Sequence, residues 1–332
     1  MPARLPRATV VHDGPMRITV LAGGVGGARF LQGVRAVSGD VTAVVNTADD
    51  VTLHGLRVCP DLDSVMYTLG GGIDTGRGWG RADETWHVKD ELAAYGAEPT
   101  WFGLGDRDVA THLVRTKMLD AGYPLSAVTE ALCARWEPGV RLLPMSDERV
   151  ETHVVVDGPE GRRALHFQEW WIRHRAALDP VEFVPVGAAE AKPAPGVLDA
   201  VAEADLVLIA PSNPVVSIGT ILAVPGIRNA LRATAAPVVG VSPIIGGAPV
   251  RGMAERCLPA LGVEVSAAGV GGWYGARSAD GLLDGWLVDT ADREAAVPGV
   301  DVRAVPLYMT DPEATAAMVR AAAELGAQVR RA

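Results

Sequence analysis

The stretch R-I-T-V-L-A-G-G-V-G-G-A-R, residues 17–29, decides the fold. A short apolar run of strand character breaks into four glycines and then into a helix. Glycine lacks a Cβ, so the backbone can turn tightly and approach a ligand. The helix that follows offers unpaired N–H groups and the positive end of its dipole to an anion. The pattern predicts a phosphate-binding strand–turn–helix; a tight turn whose glycines serve packing alone is the other reading it allows. Dinucleotide binding is disfavoured. Counted from Gly24 and Gly26, the G-x-G-x-x-G pattern needs a third glycine where Arg29 stands, and the next apolar run, T-A-V-V-N (42–46), ends in Asn46 in place of the acid that holds an NAD ribose.

Similar runs recur at 206–210, 237–241 and 284–288, without polar alternation and each followed by a glycine- or proline-bearing loop and a helical pattern. Strands of that kind are covered on both faces, so the expected fold is α/β, a doubly wound, mostly parallel Rossmann-like sheet. Between the two groups of strands, helical patterns run to about residue 136. E-T-H-V-V-V (151–156) and R-R-A-L-H-F (162–167) then read as a hairpin. The predicted organisation is a disordered tail at 1–16, a first core part at 17–100 with the glycine loop and an aspartate cluster, an inserted helical and hairpin lobe at 101–200, and a second core part at 201–332 with nucleotide-binding loops. Met16, next to the first strand, is a candidate start of the chain.

With 332 residues, 48% of them hydrophobic, the chain can fill a large core. A formal charge of −10 argues against nucleic acid and anionic membranes as partners, because phosphate-rich surfaces select basic faces. Cys59, Cys133 and Cys257 are far apart, with no C-x-x-C spacing. That suggests neither a disulfide framework nor a zinc site and fits a reducing cytoplasm. The first sixteen residues carry prolines and charges and no apolar run of signal-peptide length.

In such sheets ligands sit beyond the carboxyl ends of the strands. After the second strand come N-T-A-D-D (46–50) and then P-D-L-D (60–63). Crowded carboxylates repel one another, and Mg²⁺ takes one or two of them together with waters and substrate phosphates. Solvated turn residues and helix caps are the alternative for Asp49, Asp50 and Asp61. P-S-N-P-V-V-S-I-G (211–219) and S-P-I-I-G-G (242–247) place small polar residues and glycines at helix starts, suited to phosphates and a nucleobase or simply to capping. In G-L-G-D-R-D-V-A-T-H (103–112), Asp106 is expected to cap a helix, with Arg107, Thr111 and His112 turned to a ligand or to the surface. Trp79, Trp86, Trp101, Phe102, Phe167, Trp170 and Trp171 are either core or the walls of a slot for a planar ring.

Taken in order, G-G-V-G-G-A-R, the D-D followed by P-D-L-D, G-L-G-D-R-D-x-A-T-H, H-F-Q-E-W-W, A-P-S-N-P-V-V-S-I-G and S-P-I-I-G-G resemble the transferase family of coenzyme F-420 biosynthesis. That family comprises 2-phospho-L-lactate transferases and their bacterial phosphoenolpyruvate counterparts. The resemblance runs from Arg17 to Asp311 and is closer to the bacterial branch. It implies transfer of a phosphoenolpyruvyl or 2-phospholactyl group from a guanosine diphospho-linked donor to the ribitol hydroxyl of the deazaflavin Fo, with release of GMP. It further implies Mg²⁺ on Asp49 and Asp63, with Asp50 and Asp61 as the less favoured carboxylates of the same cluster, and catalytic roles for Asp49, Asp50, Asp63 and Arg107. The binding residues it implies are Gly23, Gly24, Gly26, Gly27, Arg29, Asp106, Thr111, His112, Ser212, Asn213, Ser217, Gly219, Ser242 and Gly246. A cytoplasmic homodimer is expected. The rival is a nucleotide-sugar-binding regulatory protein of related fold without transfer activity. It would keep the glycine loops and would not need the aspartate cluster.

Overall fold

The strand at the glycine turn, β1 (Arg17–Ala22), lies inside a seven-stranded sheet in the computed structural model, which describes residues 14–159 and 161–329. Residues 1–13 of the expected tail lie outside the described residues. The other strands are β2 (Asp40–Val45), β3 (Arg141–Pro144), β4 (Leu206–Ile209), β5 (Val238–Val241), β6 (Gly285–Val288) and β7 (Asp301–Ala304). Their spatial order is 7-6-5-4-1-2-3, and every neighbouring pair is parallel. The expected doubly wound sheet is present. The chain winds outward from β1 through β2 to β3, then returns to lay β4 on the other side of β1. Leu21 pairs with Ile209, so the loops after β1 and β4 open over one crevice at the reversal point.

Alternate residues feed two cores. In β4, Leu206 and Leu208 face one and Val207 and Ile209 the other. The helices that position the site are α1 (Gly24–Val37), α2 (Pro60–Leu69), α3 (His87–Ala94), α4 (Asp106–Asp120), α5 (Leu125–Trp136) and α6 (Pro312–Val329). Phe30 of α1, Met66 of α2, Val128 of α5 and Val319 of α6 fill the first core; Val154, Trp170, Val201 and Ile221 fill the second.

The lobe at 101–200 needs correction. Its segment 141–144 is the edge strand β3 of the central sheet, with Leu142 opposite Ala43, so α4, α5 and β3 belong to the core. Four residues after P-G are too short a run to stand out in the sequence. The lobe proper is a three-stranded antiparallel sheet, in the order Gly161–His166, Glu151–Gly158, Pro180–Val186. The expected hairpin is there. Its third strand was not foreseen because Pro180 and Pro185 disguise it, and proline is tolerated there on a sheet edge. Strand β7, D-V-R-A at the far edge, was missed for its polarity. Among the described residues no single helix is long and apolar enough to cross a membrane.

Candidate active site at the sheet reversal

Gly23 is the extended residue before α1, and Gly24 takes a φ of +61°, a conformation that favours glycine. Gly23, Gly26 and Gly27 serve close packing. A Cβ at Gly23 would lie 2.7 Å from Asp61 Oδ2 and from Ser217 Cβ, at Gly26 3.0 Å from the Pro211 carbonyl, and at Gly27 2.8 Å from Ser212 Oγ. Ser212 ties the two loops of the crevice together: its hydroxyl accepts from Gly23 N–H (3.0 Å) and donates to Gly23 C=O (2.7 Å). The side of Gly24 is more open, its nearest neighbour being Asp61 Oδ1 at 3.9 Å. A ligand meeting the start of α1 therefore approaches at Gly24. Arg29 lies a turn further along α1 and is exposed.

Beyond β2, Asn46 organises the carboxylates. Its Nδ2 donates to Asp61 Oδ2 (2.9 Å), while its Oδ1 accepts from Ala48 N–H (2.9 Å) and Thr220 Oγ1 (2.7 Å). Asn213 accepts from the N–H groups of Val215 and Val216, capping the turn at Pro214–Ile218. Gly219 follows that turn where a Cβ would strike the Pro214 carbonyl at 2.8 Å. Thr47, Asp49, Asp50 and Asp61 are all buried, and Thr47 Oγ1, Asp49 Oδ1 and Asp50 Oδ1 have no hydrogen-bond partner. Burial, and next the charge of Asp61, raise the Asp49 pKa well above the usual carboxylate range against a hydrogen bond from Asn46. Burial likewise pushes Asp61 up to about 6, opposed by Asn46 and by the N–H of Gly24. Asp50 is raised by burial and partly offset by Arg57, which holds its Oδ2 at 2.9 Å.

Asp63, expected beside Asp49 at the metal, is elsewhere. Both of its oxygens are engaged by Arg115, Oδ2 at 3.1 Å from Nη1 and Oδ1 by Nη2. The reason is helical: two residues apart on α2, Asp61 and Asp63 point roughly 200° apart. Burial disfavours the Arg115 charge, but Asp63 outweighs it and holds the guanidinium charged. Arg115 also donates to His112 Nδ1 (3.0 Å), which places the imidazole proton on Nε2, 3.5 Å from Asp108 Oδ2; Tyr67 donates to Asp108 Oδ1 (2.6 Å). His112, Thr111 and Arg115 are buried, so His112 and Arg115 serve this network. Arg115 went unnoticed in the sequence, although Asp108, His112 and Arg115 share one helical face.

The remaining candidates have the following partners within the chain. Asp106 does not cap its own helix. Its carboxylate accepts from His87 and Val88 N–H at the start of α3, while Glu84 accepts from Arg107 and Asp108 N–H at the start of α4. The Arg107 side chain is half-exposed, 3.8 Å from Asp83. Ser242 closes a local turn with Ile244, and Gly246 N–H donates to Asp292. The aromatic residues fall in three groups of ring contacts, Trp79 with Trp86, Trp101 with Phe102, and Phe167 with Trp170 and Trp171. Trp170 and Phe167 are core, Trp79 and Trp86 flank Arg77 at 5.4 and 5.3 Å, and Phe102 lines an apolar cavity of about 260 Å³ between α3 and α4.

Among the described residues no three His, Cys, Asp or Glu side chains are grouped to hold a metal by themselves. A hard cation completed by substrate oxygens is a different case. Asp49, buried, repelled by Asp61 and with an orphaned Oδ1, fits one, with Asp61 beside it. Asp63, already neutralised, does not.

The sequence profile of 2-phospho-L-lactate transferase CofD matches residues 18–320. The chain is 67% identical to the phosphoenolpyruvate transferase of Nocardia farcinica, over 93% of this chain and 94% of that one. It is 64% identical to that of Thermobifida fusca, over 95% and 99%, and 62% identical to that of Mycolicibacterium smegmatis, over 93% and 98%. A crystal structure of a UPF0052 family member from Bacillus halodurans shares the fold at a TM-score of 0.52 and 16% identity, covering 82% of this chain and 80% of that one. The chain belongs to the 2-phospho-L-lactate transferase CofD family.

Proposed function

We propose that this transferase moves the phosphoenolpyruvyl group of a guanosine diphospho-linked donor onto the terminal ribitol hydroxyl of the deazaflavin Fo and releases GMP, a step of coenzyme F-420 biosynthesis. The observation that carries the reading is the crevice between β1 and β4. There a glycine turn opening a helix meets a buried, under-satisfied carboxylate cluster, the combination that holds a diphosphate through a cation. The phosphoenolpyruvyl donor is preferred over the phospholactyl one because the relatives are named phosphoenolpyruvate transferases.

In this reading Asp49, with Asp61, would hold Mg²⁺, which offsets negative charge on the transferring phosphate. The Gly24 turn faces the diphosphate, Ser212 ties the loops after β1 and β4 together, and Asn46 joins the turn after β2 to Asp61 and Thr220. The acceptor oxygen forms a bond to the phosphorus that carries the enolpyruvyl group, and the bond from that phosphorus to GMP breaks. The hydroxyl proton passes to a carboxylate of the cluster. Positioning and electrostatics suffice for such a transfer.

The test is incubation with Fo, Mg²⁺ and guanosine diphospho-enolpyruvate, with mass spectrometry for GMP and a phosphorylated deazaflavin; the phospholactyl donor runs in parallel. Formation of both products with the first donor is expected. Absence of product with either donor would overturn the reading and leave nucleotide-sugar binding as its successor.

A further inference from the structure

The motif H-F-Q at 166–168 lies in the lobe, more than a hundred residues from the aspartates, and none of its side chains enters the reaction described above. It nevertheless touches the turn that carries them. Gln168 N–H donates to His166 Nδ1 (3.1 Å), so Nδ1 is an acceptor and the ring proton sits on Nε2. That Nε2 is 3.2 Å from the Asp50 carbonyl, to which it donates. Gln168 Nε2 donates to the Asp49 carbonyl (3.3 Å), and Thr152 N–H, on the neighbouring lobe strand, donates to the Ala48 carbonyl (2.7 Å). Three successive carbonyls of the turn, at 48, 49 and 50, are thus held by the lobe. Phe167 between the two polar residues is buried, as is Trp170, whose Nε1 donates to the Leu178 carbonyl (2.8 Å). The clamp is therefore anchored in the second core.

We propose that His166 and Gln168 are positioning residues that keep the Asp49–Asp50 turn folded inward, with its carboxylates crowded against Asp61 where a divalent cation is bound. Ionised Asp49 is repelled by its neighbours and disfavoured by burial, so an unclamped turn would swing its carboxylates toward water. The lobe supplies the restraint. It acts on the backbone oxygens of the turn. This inference rests on the reading of Asp49 as the cation-holding carboxylate.

Four forms of the full chain test it: wild type, H166N, H166Q and Q168L. Asn at 166 keeps an acceptor near the Nδ1 position and loses the donor to Asp50; Gln keeps an N–H near the Nε2 position; Leu at 168 removes the donor to Asp49 at similar volume. Mg²⁺ binding to the substrate-free protein is measured by isothermal titration calorimetry, kcat and KM for Fo by product formation, and folding by circular dichroism. H166N and Q168L are expected to weaken Mg²⁺ binding by about 10–100-fold and to lower kcat with KM for Fo unchanged, while H166Q stays near wild type. Wild-type Mg²⁺ affinity in both H166N and Q168L overturns the proposal, as does an H166Q as impaired as H166N. If H166N does not fold, Q168L decides, since it acts on the same row of carbonyls. A wild type that makes no product with either donor refutes the reaction, while the Mg²⁺ titrations still decide the clamp.

Discussion

Asp49 and Asp63 are both buried carboxylates, and their surroundings give them opposite roles. Asp63 has a full counter-charge in Arg115; Asp49 faces like charge and lacks a partner for one oxygen. The two Asp→Asn substitutions should therefore part company. Asp49→Asn relieves repulsion, so the metal-free protein should melt no lower than wild type, while Mg²⁺-supported turnover falls by roughly a hundred-fold or more. Asp63→Asn strands a buried guanidinium and should lower stability by ~3–5 kcal/mol. Urea denaturation and product formation on the two variants check this; equal stability of the two would contradict the assignment. The aspartates themselves were legible in N-T-A-D-D and P-D-L-D. Their partners were not, because Arg115 is 52 residues from Asp63 and only the packing of α4 on α2 brings them together.

At the scale of elements, the site depends on how closely α1 can be packed from both sides. At its start Gly26 and Gly27 admit the 211–212 loop. In its third turn Gly33 admits α6, where a Cβ would lie 2.6 Å from the Thr315 backbone. Gly33→Ala should therefore push α6 off α1 and cost about 1–3 kcal/mol, the usual range for overpacking. Thermal melting measures the loss, and turnover well below the melting temperature should persist because Gly33 is remote from the turn. A melting temperature at or above wild type would mean that the contact relaxes freely. The neighbouring helices are stitched by exchanged caps, Asp106 on α3 and Glu84 on α4. The sequence showed that acids stood at a helix start; which helix each one caps follows from the fold between them.

For the whole molecule, the carboxylate cluster leaves a signature in the dependence of stability on pH. The folded pKa of Asp61, about 6, stands above the ordinary 3.8, so its folded state favours the proton. Its contribution to stability is fully present below the ordinary value and is lost as pH rises through about 6. Metal-free wild type should thus lose stability relative to Asp61→Asn across that window, while Mg²⁺ at neutral pH should raise the wild-type melting temperature by binding the folded state alone. Melting curves at pH 4 to 8 with a chelator or with Mg²⁺ test both points. A difference between the two proteins that does not vary with pH would show that Asp61 titrates normally.

The sequence by itself determined the doubly wound sheet, because strands covered on both faces must be apolar without alternation and the glycine turn after the first one admits few conformations. It also determined which loops matter, since parallel strands put their following loops on one edge. Tertiary structure decided the rest. It made residues 141–144 a sheet edge, fixed which aspartate is neutralised and which is left under-satisfied, and set the partners that several expected ligand residues have within the chain. Those outcomes depend on the distance between groups far apart in the chain and on how much water remains around them, and neither quantity is written in local spacing or composition.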